Sequence, residues 1–142
     1  MVRKLKKKDI PEVMEIWLEQ NIKAHSFIEK DYWIKMASEV EKEIRNAEVY
    51  IYEKEDHIRG FIGLKNNRIE GLFVDKKWEF KGIGKKLMKK AKSKRKKLRA
   101  YVYKKNKDAI HFYLGEGFSC IKVQQDVDTG EEEYLMKWKG KD

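Results

Sequence analysis

The sequence holds one proline, one cysteine and three histidines in 142 residues, and no apolar run approaches the ~18 residues of a membrane span. The lone Cys120 excludes an internal disulfide, and without Cys or His at ligand spacing no metal site is expected. Cys120 falls in a core-like strand with no neighbouring base, so packing rather than nucleophilic chemistry is expected of it. The first ten residues, MVRKLKKKDI, are basic with no apolar stretch behind them, so the expected setting is the cytoplasm, away from membranes. No repeat and no low-complexity linker divides the chain. With 41% hydrophobic residues it reads as one domain, residues 1–142, able to enclose a core.

What is abundant is positive charge. Thirty-four Lys and Arg against 24 Asp and Glu give a net charge of +10, which attracts an anionic partner, whether nucleic acid or a phosphorylated small molecule. The same composition also suits solubility or a heat-adapted source, so charge alone does not choose. The densest tract, Lys85 to Lys97, still carries apolar spacing, on a helix whose buried side is Ile83, Leu87, Met88 and Ala91.

Read along the chain, Met1–Leu5 predicts a strand, and Asp9 with Pro11 marks a helix start with Asp9 as its cap. Two helices follow, one with Ile10, Val13, Met14, Trp17 and Asn21 on one face, the next from Glu29 to Ala47 with Trp33, Met36, Val40 and Ile44. EVYIYEK, IRGFIGLKN and RIEGLFVD predict an antiparallel meander with polar tips at Glu55–His57 and Asn66–Asn67. A glycine-bearing loop then opens the lysine-rich helix. The strand Leu98–Tyr103 completes a βαβ crossover, and a helix at Asn106–Leu114 and a hairpin turning at Asp128–Gly130 end the chain.

The loop reads EFKGIG, Glu79 to Gly84. The first amides of a helix lack intrahelical partners and carry the positive end of its dipole, so glycines there allow a phosphate to approach the backbone. Taken alone, this is equally a tight turn. Downstream lies NKDAIHFYLGEGF, Asn106 to Phe118. Together the two motifs resemble the GNAT superfamily of acetyl-CoA-dependent N-acetyltransferases. The family loop, Gln or Arg, two residues, Gly, one residue, Gly or Ala, is matched in spacing, with Glu79 replacing its first residue. The family pattern Asn-x-x-Ala-x-x-Phe-Tyr is met by Asn106, Ala109, Phe112 and Tyr113.

The resemblance implies an α/β (α+β) GNAT fold: a mixed, mainly antiparallel sheet of about seven strands with about four helices, holding the cofactor between strands four and five. It implies acetyl-CoA as acetyl donor to a primary amine (protein N-terminus, lysine or small amine) attacking directly in a ternary complex. Its pyrophosphate would rest on Lys81, Gly82, Ile83, Gly84 and Lys85, and its pantetheine arm would pair with Leu72, Phe73 and Val74. Asn106 would contact that arm from the far side, and Tyr113 would give its proton to the departing sulfur.

Glu70 is the candidate base; on a regular strand it shares a face with Leu72 and Val74, and a bulge at Gly71 would alter that parity. His25, Phe27 and Trp33, on the first two helices and their connection, are the candidate acceptor-binding residues. Glu79 would repel a pyrophosphate unless Lys76, Lys77 or Lys81 paired with it. Two rival readings are a basic nucleic-acid-binding module and a non-catalytic CoA-binding regulator. No stacking platform is visible, so nucleic acid is the less expected partner, and a homodimer through the C-terminal hairpin is compatible with the resemblance.

Overall fold

A computed structural model describes residues 1–141. The elements run β1 (Val2–Lys4), α1 (Ile10–Ala24), α2 (Lys30–Asn46), β2 (Glu48–Lys54), β3 (His57–Lys65), β4 (Arg68–Val74), α3 (Ile83–Lys94), β5 (Lys97–Tyr103), α4 (Lys107–Gly115), β6 (Ser119–Gln125) and β7 (Glu132–Lys139). The strands form one sheet in the order β1-β2-β3-β4-β5-β7-β6, antiparallel except where β4 meets β5. Seven strands, four helices and a mixed, mainly antiparallel sheet are what the sequence predicts.

Alternation explains how both faces of the sheet are covered. On β2, Val49 and Ile51 join a cluster with Trp17, Trp33 and Phe61 under α1 and α2, while Tyr50 and Tyr52 join Leu87, Met88 and Tyr113 on the α3 and α4 side. The β2–β3 turn places Glu55 and Asp56 at φ 53° and 62°, the left-handed pair that suits a tight hairpin. On α3 the buried residues are Ile83, Leu87, Met88 and Ala91, the four whose spacing predicts that face.

Three expectations are corrected. Asp9 does not cap α1. Its carboxylate turns back to accept from the Lys6 amide (2.7 Å) and from Arg3 (2.8 and 3.0 Å), because the β1 guanidinium offers a charged, two-pronged partner. Cys120 is exposed rather than packed, since β6 is an edge strand and Ile121 and Val123 beside it also face outward. The third concerns β4. Gly63 pairs with Gly71 but Leu64 pairs with Ile69, so Glu70 is the extra residue of a bulge. Glu70 is thereby turned to the α1–α2 face, where a Cβ on Gly63 would meet both the Glu70 Cβ (3.9 Å) and Val49 (3.7 Å), while Leu72 and Val74 pack on the α3 side. The shared face expected for these three residues does not form.

The bulge also opens the sheet. Among the described residues, Arg68–Arg99 is the register pair joining β4 to β5, supported by an Arg99 amide to Asn67 carbonyl bond of 2.8 Å. Beyond it the strands diverge, leaving backbone groups at Leu72–Val74 without a strand neighbour on that side.

Candidate active site

Two cavities occupy the opening and meet inside it. The first, about 820 Å³, lies between the α3 N-terminus and α4, with Leu72 and Val74 on one wall and Phe112 and Tyr113 on the other. Gly82, Ile83, Gly84 and Lys85 form its end. Gly82 caps α3 at φ 78°, a conformation glycine adopts freely, and no acidic residue stands in the first helical turn. A Cβ on Gly84 would stand 3.3 Å from the Phe112 ring, so this glycine admits close approach of α4. Free helix amides, a glycine cradle and an apolar trough form a suitable seat for a pyrophosphate joined to an apolar-lined arm.

The predicted cofactor residues are thus brought together in part. Phe73 turns the other way, its ring 5.4 Å from Phe61, and it lines the cavity on the α1–α2 side rather than the trough. Lys81 faces the far side of the loop. Glu79 borders the trough, and no ion pair involves it among the described residues, so the pairing with Lys76, Lys77 or Lys81 that would offset its repulsion is absent there.

The second cavity, about 360 Å³, opens on the α1–α2 side. Trp33, His25, Glu70 and Asn106 all line it. Phe27 lines neither cavity; it backs His25 and Tyr103, with ring centroids 5.6 and 5.7 Å away. Asn106 lies in this second cavity and not in the trough. Its Oδ1 accepts the Ala109 amide (3.2 Å), which aims Nδ2 at His25 Nε2, 3.1 Å away. Nε2 therefore accepts, and the imidazole proton sits on Nδ1. Burial pushes the His25 pKa down to about 4, against a smaller opposing pull from the Asn21 carbonyl. Stacked 5.3 Å from Trp33, this neutral ring is a structural prop for the wall.

Tyr103 and the carboxylates Asp126 and Asp128 also line this cavity and escape sequence reasoning. Tyr32 and Tyr103 stand beside Asp126 and Asp128 of the β6–β7 turn, and Tyr103 donates its hydroxyl proton to Asp126. Burial, then the nearby Asp128 and Asp126, push the Tyr32 phenol up to about 12. Tyr103 and Asp126 are 23 positions apart and Tyr32 lies on a different helix far earlier in the chain, so no local spacing announces these contacts.

Leu72, Ala109 and Tyr113 line both cavities, so they mark the junction. Tyr113 is buried, and burial raises its pKa above the usual phenolic range, which keeps the proton on oxygen at neutral pH.

A glycine-ended apolar trough, a second cavity lined with carboxylates and a protonated phenol at their junction suit a coenzyme-A-dependent acyltransferase. Residues 15–139 match the family model described as an acetyltransferase (GNAT) domain, and the chain belongs to that family. It is 30% identical over 140 residues to the peptidyl-lysine N-acetyltransferase YiaC of Escherichia coli strain K12, covering 97% of this chain and 96% of that protein. It is 24% identical over 136 residues to the peptidyl-lysine N-acetyltransferase YjaB of the same strain, covering 95% and 92%. The solution structure of apo YjaB superposes with a TM-score of 0.80 at 22% identity, covering 99% of this chain and 98% of that one. A Bacillus anthracis acetyltransferase solved with acetyl coenzyme A matches with a TM-score of 0.61 at 25% identity, covering 67% and 64%. The chain is an N-acetyltransferase that takes its acetyl group from acetyl-CoA and delivers it to an amine. Among the described residues, no helix is long and apolar enough to cross a membrane.

Proposed function

We propose that the acceptor is the side-chain amine of a lysine in a protein. The observation that carries this reading is the charge of the acceptor cavity. In a chain of net charge +10, Glu43, Glu70, Asp126, Asp128 and Glu133 line this cavity, with Arg68 the one guanidinium among them. Carboxylates at the mouth attract an ammonium, and the aromatic walls suit the methylene stem that carries it. YiaC and YjaB, named as peptidyl-lysine N-acetyltransferases, support the same class.

In this reading the amine loses its proton within the acceptor cavity and attacks the carbonyl at the junction, while Tyr113 returns a proton to the departing sulfur. Acetyl-CoA supplies the thioester. The chain's own part is to seat the diphosphate on the amides of Gly82 to Lys85, align the arm along Leu72 to Val74, and orient the acceptor. Glu70 is the proposed base: it lines the acceptor cavity, is about one-third exposed, and pairs with Arg68 at 3.3 Å, which holds its carboxylate in place. His25 is excluded from that task by its low pKa and its occupied Nε2.

The test is an acetylation assay on matched peptides with lysine, acetyl-lysine or arginine at one position, beside spermidine and a free-N-terminus peptide. Acetyl transfer confined to the lysine peptide supports the reading. Faster turnover of spermidine or the N-terminal amine overturns it.

A further inference from the structure

The loop that cradles the trough has a second side. Lys81 turns away from the trough into a separate pocket of about 320 Å³, between the α3 N-terminus and strands β2 and β3. Its walls also carry Lys54, Arg59 and Lys86, and no carboxylate is among the lining residues. Trp78 and Ile83 line both this pocket and the trough, so the Trp78 indole separates them.

Arg59 is the unusual member. Its side chain is only 9% exposed, and its guanidinium carbon lies 3.5 Å over the Trp78 ring. Its Nε is buried without a hydrogen-bond partner, and its nearest carboxylate, on the exposed Glu55, stands 3.6 Å from Nη2, beyond hydrogen-bond reach. A buried guanidinium is costly unless an anion meets its donors. Indole stacking fixes the plane of the fork and leaves its edge for a ligand. Lys86 is held similarly, its Nζ 5.3 Å from the Tyr52 centroid. Exposed lysines that merely keep a surface solvated would not require a buried arginine among them.

We infer that this pocket is a second oxyanion site, built for a phosphate group and separate from the seat in the trough. Arg59 offers the planar fork, Lys86 a second fixed cation, and Lys54 and Lys81 close on the remaining oxygens. The phosphate could belong to a free phosphate-bearing molecule or to the 3′-phosphate end of CoA reaching around Trp78; the chemistry recognised is the same. The site does not depend on which amine is acetylated.

The test uses the whole chain and inorganic phosphate, with sodium chloride at matched ionic strength as control. Proton–nitrogen NMR follows the Arg59 Nε–H and Trp78 indole signals. Saturating shifts with phosphate, absent with chloride, are expected. Lys54→Gln should weaken the phosphate affinity about tenfold, the scale of one charge-assisted contact. Arg59→Lys, which keeps charge and bulk, should weaken it similarly. Shifts that never saturate, that chloride reproduces, or that neither substitution changes overturn the site. Given saturation, calorimetry with CoA and dephospho-CoA on wild type and Lys54→Gln identifies the source. A loss for CoA alone assigns the pocket to its 3′-phosphate, and unchanged affinities for both assign it to a free phosphate compound.

Discussion

Asn106 holds His25 in its neutral form: the amide that caps α4 through Ala109 presents its nitrogen, 3.1 Å away, to the Nε2 of a ring buried beside Trp33. A proton on Nε2 would face a donor, and burial already opposes the charge. The folded pKa, about 4, lies below the unfolded value of 6.5. The unfolded chain therefore binds more protons as pH falls, and stability is lost between about pH 6.5 and 4, while it is fully present above 6.5. Urea denaturation at pH 7.5 and 5 should show wild type losing about 2 kcal/mol. His25→Gln, whose carbonyl can still accept from Asn106, should lose less over the same interval. Equal losses would place the pH sensitivity elsewhere.

Tyr113 makes no side-chain hydrogen bond among the described residues, so a phenylalanine fits its place without leaving a partner stranded. Tyr113→Phe should lower kcat by ~10²-fold, the usual scale of general acid catalysis, with acetyl-CoA affinity and melting temperature nearly unchanged. Because burial raises its pKa, no loss of activity below pH ~10 should trace to this phenol. A variant with wild-type kcat would remove the hydroxyl from the reaction.

Gly82 stands at φ 78° with open space where a Cβ would be, so substitution there strains the backbone without a steric clash. Gly82→Asp adds a negative charge at the glycine-lined end of the trough, the proposed diphosphate seat. Its acetyl-CoA affinity should fall at least ~10-fold by calorimetry, from left-handed strain of about 1–2 kcal/mol together with like-charge repulsion. Retained affinity would move the diphosphate seat away from this loop.

Glu79 occupies the position where the family pattern has Gln or Arg, and it borders the trough without an ion-pair partner among the described residues. Glu79→Gln should tighten acetyl-CoA binding by about two- to fivefold at low salt, and the gain should shrink at 0.5 M salt as screening shortens. Weaker binding would assign the carboxylate a positive role.

The parts of this molecule legible in the sequence are those written in local spacing. The buried face of α3, the meander of β2 to β4 and the glycine loop each depend on neighbours a few residues apart. The bulge at Glu70 was foreseeable only in part: Gly71 marks it, but which residue becomes extra depends on the β3 partner. Phe27 reads as a pocket aromatic beside His25, yet only the packing of Tyr103 shows that it lies behind the wall. Cys120 alternates like a core residue, and its exposure follows from β6 being last in the strand order, which no local pattern encodes. Likewise, the carboxylates of the β6–β7 turn read as ordinary turn residues until the sheet brings them to Tyr32.

Those turn carboxylates yield the sharpest test of acceptor recognition. Asp126 is committed to the turn, accepting from Tyr103, Thr129 and the Asp128 amide, so replacing it would disturb structure as well as charge. Asp128 also lines the acceptor cavity, and its carboxylate has no ion pair among the described residues. Asp128→Asn preserves shape and removes one negative charge. If an ammonium is drawn in by this rim, KM for a lysine peptide should rise about three- to tenfold at low salt, with KM for acetyl-CoA and kcat nearly unchanged. The difference from wild type should narrow as salt rises, because the interaction acts through solvent. The same substitution removes a carboxylate that raises the Tyr32 pKa, so the Tyr32 phenol should titrate lower in a spectrophotometric titration. A fall in kcat with unchanged peptide KM would instead place Asp128 in proton transfer, and an unchanged profile in every respect would remove the β6–β7 turn from acceptor recognition.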